Sequence, residues 1–279
     1  MPQPAFDIHD VIRIARTAGA EIMALRPSVI ANPEIKGDGS PVTLADKRSS
    51  AIVIEGLEAL TPAIPVVSEE NPDGQNRAIV ANSATYWIVD PLDGTQTYID
   101  GHEGFGVHIG LIDNGVPAAG VVYFPAQGVL YFTDGGKAYK QVDGKPAQQI
   151  SVTQPESLRQ PFAAATSWNK KRQPESALAR SIPAVGGARA CITAEGITDI
   201  ALIEAPFSYW DIAAAHAVLR AAGGELFELN SGDPVRYPSH KLYIEPAVGG
   251  HAANVAQTRA QLQAAVSNMP LRVRQQPKP

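Results

Sequence analysis

Cysteine is all but missing from this chain: Cys191 stands alone among 279 residues, so neither an intramolecular disulfide nor a multi-cysteine zinc site can form. No run of about 18 apolar residues occurs, which excludes a membrane-spanning helix. Charge of one sign is not in large excess. The 23 basic and 28 acidic residues leave a net charge of −5, which speaks against a general binder of nucleic-acid polymers. Glycine (24) and proline (23) stay below the level of a low-complexity chain. The opening MPQPAFDIHD lacks the basic start and apolar centre of a secretory leader, so a cytoplasmic location is expected. What is present is a 44% apolar composition, enough for one large core or two small ones.

Asp7 to Leu25 reads as an amphipathic helix, with Ile8, Val11, Ile12, Ala15, Ile22 and Leu25 near a 3.6 period and Asp7 as N-cap. A polar loop, Asn32 to Pro41, precedes a second helix that starts at Thr43 and stops before Pro62. Short buried strands are expected at Ile64–Ser68 and Tyr86–Asp90. A β-meander is expected from Phe105 to Val142, punctuated by turns at Asp113-Asn114-Gly115, Pro125–Gly128 and Gly135-Gly136. Late helices are expected at Phe207–Ala222 and His251–Val266, with a polar tail from Pro270. With no internal repeat and no long linker, the chain reads as one compact unit of two abutting halves, residues 1–150 and 151–279.

Three segments gather carboxylates where apolar strands end or a helix begins: Ser68-Glu69-Glu70, Asp90-Pro91-Leu92-Asp93-Gly94-Thr95, and Trp210-Asp211. Singly, each has an ordinary explanation. Glu69-Glu70 suits a solvated loop, Asp93-Gly94 a tight turn, and Asp211 and Asp46 each follow a hydroxyl residue by three, a capping-box spacing. Together they are costly to bury without a positive partner. Oxygen ligands alone, without His or Cys, select hard cations such as Mg²⁺, Mn²⁺ or Ca²⁺. Within DPLDGT, Pro91 fixes the exit from Asp90, Asp93 returns a second carboxylate to the same side, and Gly94 lets backbone approach a ligand. Thr95 can then open a helix whose free N–H groups suit a phosphate. Carboxylates for a metal beside an anion cradle indicate phosphoryl chemistry. The D-x-D-x-T pattern of haloacid-dehalogenase-type phosphatases does not fit, because the second Asp lies at +3 and the Thr at +5.

In that order and spacing the sequence resembles the inositol monophosphatase superfamily of magnesium-dependent, lithium-sensitive phosphomonoesterases. The matching residues are Lys36-x-Asp38-x-Ser40-Pro41-Val42-Thr43-x-Ala45-Asp46, Ser68-Glu69-Glu70, Trp87–Thr95, Gly120–Pro125, Ala194-Glu195-Gly196, Trp210–Ala214 and Ala222-Gly223-Gly224. The resemblance implies a layered αβαβα sandwich and a homodimer. It also implies two or three Mg²⁺ ions, with Mn²⁺ as a substitute. Glu69, Asp90 and the Leu92 carbonyl would hold one ion, and Asp90, Asp93 and Asp211 a second, with Glu69 helping to place a third. Asp46 and Thr95 would orient and deprotonate the attacking water, the Gly94 and Thr95 amides would hold the phosphate, and Lys36 would balance charge.

The leaving-group pocket decides the substrate. Glu204, seven residues before Asp211, stands where inositol monophosphatases place a ring-hydroxyl ligand, which makes a polyol phosphate the first expectation. A 3′(2′),5′-bisphosphate nucleotidase is the alternative, favoured by Ser68-Glu69-Glu70-Asn71-Pro72 and Thr193–Gly196, with Arg189 as a contact for a second phosphate or as a cation snorkelling from a helix. The chain departs from nucleotidases at Gln96-Thr97-Tyr98, and from the superfamily at Val185–Arg189 and in a short segment between Thr166 and Gly186. A catalytically silent metal- and phosphate-binding member is the third reading. His108 reads as structural or dimer-facing, His216 as satisfied in the core, Cys191 as a small hydrophobe, and Tyr209 and Trp210 as packing anchors.

Overall fold

The computed structural model describes residues 6–29, 34–35, 41–158, 162–167, 179–204, 207–237 and 241–267. Lys36, Asp38, Ser40, most of the short segment before Gly186, and the polar tail lie outside them. In chain order the elements are α1 (Ile8–Val29), β1 (Glu34–Ile35), β2 (Pro41–Val42), α2 (Leu44–Leu60), β3 (Val66–Ser68), α3 (Asp73–Asn82), β4 (Thr85–Asp93) and α4 (Thr95–Ile99). The meander follows as β5 (Gly106–Asp113), β6 (Val116–Phe124), β7 (Val129–Asp134), β8 (Lys137–Val142) and β9 (Gln148–Ile150). Next come β10 (Phe162–Ser167), β11 (Ala179–Ala184), α5 (Ala188–Ala194), β12 (Ile200–Ile203), β13 (Phe207–Ser208), α6 (Tyr209–Ala221), β14 (Glu225–Glu228), β15 (Tyr243–Ile244), β16 (Ala247–Gly250) and α7 (Ala252–Ser267).

Strands β3 to β9 form a seven-stranded sheet in sequence order, parallel only between β3 and β4. Their alternation explains the layering, since successive side chains point to opposite faces. Trp87, Val89, Val121 and Tyr123 pack with Val11, Ala15 and Ile22 of α1 and Val53 and Leu57 of α2. Tyr86, Ile88, Val122 and Phe124 face the other way, onto Ile212 and Val218 of α6 and Ala190 and Cys191 of α5. A second sheet, β11-β10-β12-β16-β14, lies beyond α5. Its outer face, with Ile200, Leu202 and Val248, packs on Val255 and Leu262 of α7. The result is helices, sheet, helices, sheet, helix: the expected αβαβα sandwich. No helix among the described residues is long and apolar enough to cross a membrane.

Helix α6 lies close on the large sheet because glycines stand beneath it. A Cβ on Gly120 would come within 2.2 Å of the Ala214 carbonyl oxygen, and one on Gly110 within 3.0 Å of the Ala214 nitrogen. That close seating fixes where the first turn of α6, and so Asp211, meets the strand ends.

Three local differences from expectation bear on the site. Strand β4 does not end at Asp90 but runs to Asp93 through a bulge. Asp90 pairs with His108 and Asp93 with Gly106, so three steps on β4 oppose two on β5. Pro91 has no N–H to give the ladder, and its carbonyl accepts from the Ser49 hydroxyl of α2 at 2.7 Å. Helix α3 was not anticipated, because its sequence DGQNRAIVAN is mostly polar and buries only Asn76 and Val80. The polar loop before α2 contributes the two-residue pair β1 and β2.

Candidate active site

The parallel pair β3 and β4 delivers Glu69 and Asp90 to one edge of the large sheet. The Glu69 amide donates to the Val89 carbonyl at 3.2 Å. The preceding Ser68 is locked by Asn76 of α3, which donates to its carbonyl at 2.7 Å and accepts from its amide at 3.2 Å. The β4 alternation turns Asp90 to the α6 face, where Asp211 occupies the first helical turn. Carboxylate oxygens of Glu69, Asp90 and Asp211 lie within 4.8 Å of one another. Asp211 also caps its helix, accepting from the Ser208 amide at 3.0 Å, so the capping reading and the site reading hold at once.

Asp90 is 2% exposed. Burial pushes its pKa well above the usual carboxylate range, and the charges of Glu69, Asp93 and Asp211 push it further, against a hydrogen bond from the Leu92 amide. An all-oxygen cluster whose members repel one another, two half-buried acids around a buried Asp90, fits a hard divalent cation, which removes the repulsion that burial amplifies.

Beside the cluster lies a hydroxyl–carboxylate pair. Asp46 is 2% exposed. Its Oδ2 accepts from the Thr43 amide at 2.7 Å and the Thr43 hydroxyl at 2.6 Å, which closes the capping box that starts α2. The Thr95 hydroxyl lies 3.0 Å from Asp46 Oδ1 and 3.2 Å from the Leu92 carbonyl, so its single proton is shared between two acceptors. Burial raises the Asp46 pKa and the Thr43 and Thr95 hydrogen bonds oppose the rise. Thr95 opens the short helix α4, whose N-cap is Gly94 at φ 84°, a left-handed conformation that glycine adopts without a Cβ clash.

Asp93 is handled differently from the other acids. It stands outside the converging Glu69–Asp90–Asp211 set, and its Oδ2 lies 3.5 Å from His108 Nε2. Burial raises its pKa to about 7, against the Gly187 amide and the Arg189 charge, which lower it. The approach of the Gly186-Gly187 turn is so close that a Cβ on Gly186 would fall 2.0 Å from Asp93 Oδ2. The altered Val185–Arg189 segment is thus a direct neighbour of a candidate metal ligand.

Arg189 and Glu204, expected as separate substrate contacts, are paired with each other. Both are 4% exposed. Arg189 Nη1 donates to Glu204 Oε2 at 2.5 Å and to the Leu202 carbonyl at 3.0 Å, and Nε donates to the Ala184 carbonyl at 3.2 Å. Glu204, just past β12, is therefore not a surface group, and Arg189 does not snorkel. The Ala-Glu-Gly segment has a bracing role, since Glu195 accepts from the Tyr131 hydroxyl at 2.7 Å and Lys140 Nζ at 2.6 Å. His216 is buried between Tyr237 and Glu225, Tyr209 packs on Tyr237 at 4.8 Å, and Cys191 is a buried free thiol, all as expected.

His108, expected to be structural or dimer-facing, lies beside Asp93 at the edge of the acidic cluster. The available signal was its position: cross-strand partners share a face, so a residue opposite Asp90 faces the same cluster. It does not face a dimer partner from the protein surface; it is fully buried.

The profile of the "Inositol monophosphatase family" matches residues 7–268. The chain is 34% identical over 244 residues to the Escherichia coli K12 protein named 3′(2′),5′-bisphosphate nucleotidase CysQ, covering 86% of this chain and 97% of that protein. Among solved structures it resembles CysQ from Bacteroides thetaiotaomicron, with 28% identity, a TM-score of 0.71, and coverage of 88% and 96%. It also shares the fold of an IMPase from Thermotoga maritima, at 20% identity and a TM-score of 0.72, with coverage of 92% and 96%.

Proposed function

The chain belongs to the inositol monophosphatase family and is a magnesium-dependent phosphoric monoester hydrolase; on that footing we propose that its substrate is a 3′(2′),5′-bisphosphorylated nucleoside. The observation that carries the choice is the buried Arg189–Glu204 pair. A glutamate serving a polyol would offer its carboxylate to ring hydroxyls, whereas here that carboxylate is buried and accepts from Arg189, which counts against the polyol role. The names of the curated relatives support the same reading and displace inositol monophosphate as the first choice.

In this reading Glu69, Asp90, the Leu92 carbonyl, Asp93 and Asp211 would hold two or three Mg²⁺ ions. Bound there, the cations would supply Lewis-acid stabilisation of the phosphate charge and acidify water at the site. The protein's own part is orientation and proton removal. The Thr95 hydroxyl, donating to Asp46, keeps its oxygen lone pairs turned toward the attacking water. Asp46 takes the proton through that contact, and its raised pKa brings it nearer the working pH of a general base. The Gly94 and Thr95 amides, and Lys36 from the segment before α2, hold the phosphate oxygens. Inhibition by lithium, manganese as a substitute cation, a homodimer and a cytoplasmic location belong to the same proposal.

The test is phosphate release from adenosine 3′,5′-bisphosphate, inositol 1-phosphate, fructose 1,6-bisphosphate and histidinol phosphate, each with Mg²⁺, with EDTA, and with Mg²⁺ plus Li⁺. The expected result is Mg²⁺-dependent release with the highest kcat/KM on the bisphosphonucleoside. A preference for inositol 1-phosphate would return Glu204 to the polyol role, and no release from any ester would favour the silent binding member.

A further inference from the structure

Two buried polar groups face each other beside the acidic cluster without a good hydrogen bond between them. No hydrogen bond of good geometry reaches either ring nitrogen of His108 or Asp93 Oδ2, and all three atoms are shielded from solvent; the Asp211 carbonyl faces the imidazole and the Gly187 amide faces the Asp93 carboxylate. Nε2 and Oδ2 are 3.5 Å apart, a few tenths of an ångström beyond a good N–H···O contact. A buried donor and a buried acceptor that stay poorly paired are both costly, so a small displacement of either side chain improves the pairing of both.

The surroundings leave Asp93 few other settings. On one side the Gly186 backbone, at φ 39°, leaves no room for a Cβ against the carboxylate. On the other side the His108 ring is held edge-on by Phe124, at 6.1 Å and 81°, and lies under Gly187 together with the Asp211 carbonyl. The bulge in β4 is what carries Asp93 to this slot, one residue out of register with Asp90.

We infer that His108 is a positioning residue: its Nε2–H holds the Asp93 carboxylate at the rim of the Glu69–Asp90–Asp211 cluster and sets how readily Asp93 contributes to a cation there. This rests on the metal-dependent reading above but concerns a residue that reading does not use. His108 touches neither substrate nor the reacting atoms, and it acts through Asp93.

The experiment compares wild type with His108→Gln, which keeps an N–H near the Nε2 position, and His108→Phe, which keeps the ring and its packing on Phe124. Mn²⁺ binding is followed by the EPR signal of the free ion, without substrate, and the Mg²⁺ dependence of phosphate release is measured in parallel. The expected result is that His108→Gln retains most of the wild-type Mn²⁺ affinity, while His108→Phe loses roughly tenfold at one site, the scale of removing a group that orients a metal ligand. The Mg²⁺ concentration for half-maximal rate should rise by a similar factor in His108→Phe, with kcat at saturating Mg²⁺ changing far less. If the Phe variant does not fold, His108→Leu serves the same comparison. Equal Mn²⁺ binding by His108→Phe and wild type overturns the inference alone, as does a Gln variant impaired as much as the Phe variant. A wild-type protein that binds no Mn²⁺ overturns both this inference and the metal-dependent reading.

Discussion

The large sheet and the small sheet contribute to the site in opposite ways. The strand ends of β3 and β4 bring Glu69, Asp90 and Asp93, and α2 adds Asp46: acids placed by short-range geometry, by a parallel strand pair, a bulge and a capping box. The small-sheet side, through β12, α5 and the turn before it, brings Arg189, Glu204, the Gly186 backbone that presses on Asp93 and the Gly187 amide that bonds to it. One side concentrates negative charge, and the other meets it with an internally neutralised ion pair and bare backbone. On the proposed reading, reaction type and substrate choice sit on different elements, and they touch at Asp93.

Asp90→Asn is the sharpest way to isolate the first side. Asp90 is the acid on which the charges of Glu69, Asp93 and Asp211 converge, so its loss should lower phosphate release by roughly 10²–10³-fold, the range seen when one group that stabilises transition-state charge is removed. The fold should persist, because the variant removes a buried charge from a repulsive cluster. Circular dichroism and phosphate release on the same sample check both halves. Near-wild-type turnover by a folded Asp90→Asn protein would end the case for a site centred on this strand.

Arg189→Met probes the other side and should act on stability and selectivity more than on chemistry. Removing one partner of a buried pair leaves Glu204 charged in a dry setting, at a cost of about 3–5 kcal/mol, while the double change Arg189→Met with Glu204→Leu should recover much of it. Denaturant unfolding of the two variants gives the numbers. The discrimination between adenosine 3′,5′-bisphosphate and adenosine 5′-monophosphate should shrink in the double variant. If it is unchanged, the small-sheet side does not choose the substrate.

The same division explains what the sequence made legible. DPLDGT, Ser68-Glu69-Glu70 and Trp210-Asp211 are local patterns, each carried by one strand end or one helix start, so reading them required no knowledge of how the sheets meet. Alternation in the strands and the apolar stripe of α1 gave the elements, and the αβαβα layering came only from the resemblance to the inositol monophosphatase superfamily. Helix α3 was illegible because it lacks a side-chain cap and has little apolar periodicity, yet its Asn76 fixes the turn that presents Glu69. The pairing of Arg189 with Glu204 spans 15 positions and two elements, and only the packing of α5 beside β12 creates it. Likewise, alternation placed His108 on a face but gave no hint that the β4 bulge would swing Asp93 to meet it.

The smallest expected effect concerns the pH dependence of the metal-free protein, and it arises where the two sides touch. Burial raises the folded pKa values of Asp46 and Asp90, and that of Asp93 to about 7. In the unfolded chain these groups titrate near 4. Between those values the native state binds more protons than the unfolded state, so their contribution to stability is present at low pH and lost as pH rises. The buried imidazoles oppose this: His108 is pushed down to about 4 and His216 is lowered, so below their ordinary value of 6.5 the unfolded chain takes the extra protons. By about one pH unit above 6.5 the histidine contribution is complete, while Asp93 is finishing its titration through about 7 and Asp90 lies well above its usual range. In EDTA the melting temperature should therefore fall between about pH 7.5 and 8.5, by on the order of 2 °C for a chain of this size. Saturating Mg²⁺ should abolish the fall, because an ion held by these carboxylates keeps them deprotonated at both ends of the range. Parallel slopes with and without Mg²⁺ would mean that the acids of the large sheet do not act as one site, and the division between the two sheets would lose its chemical half.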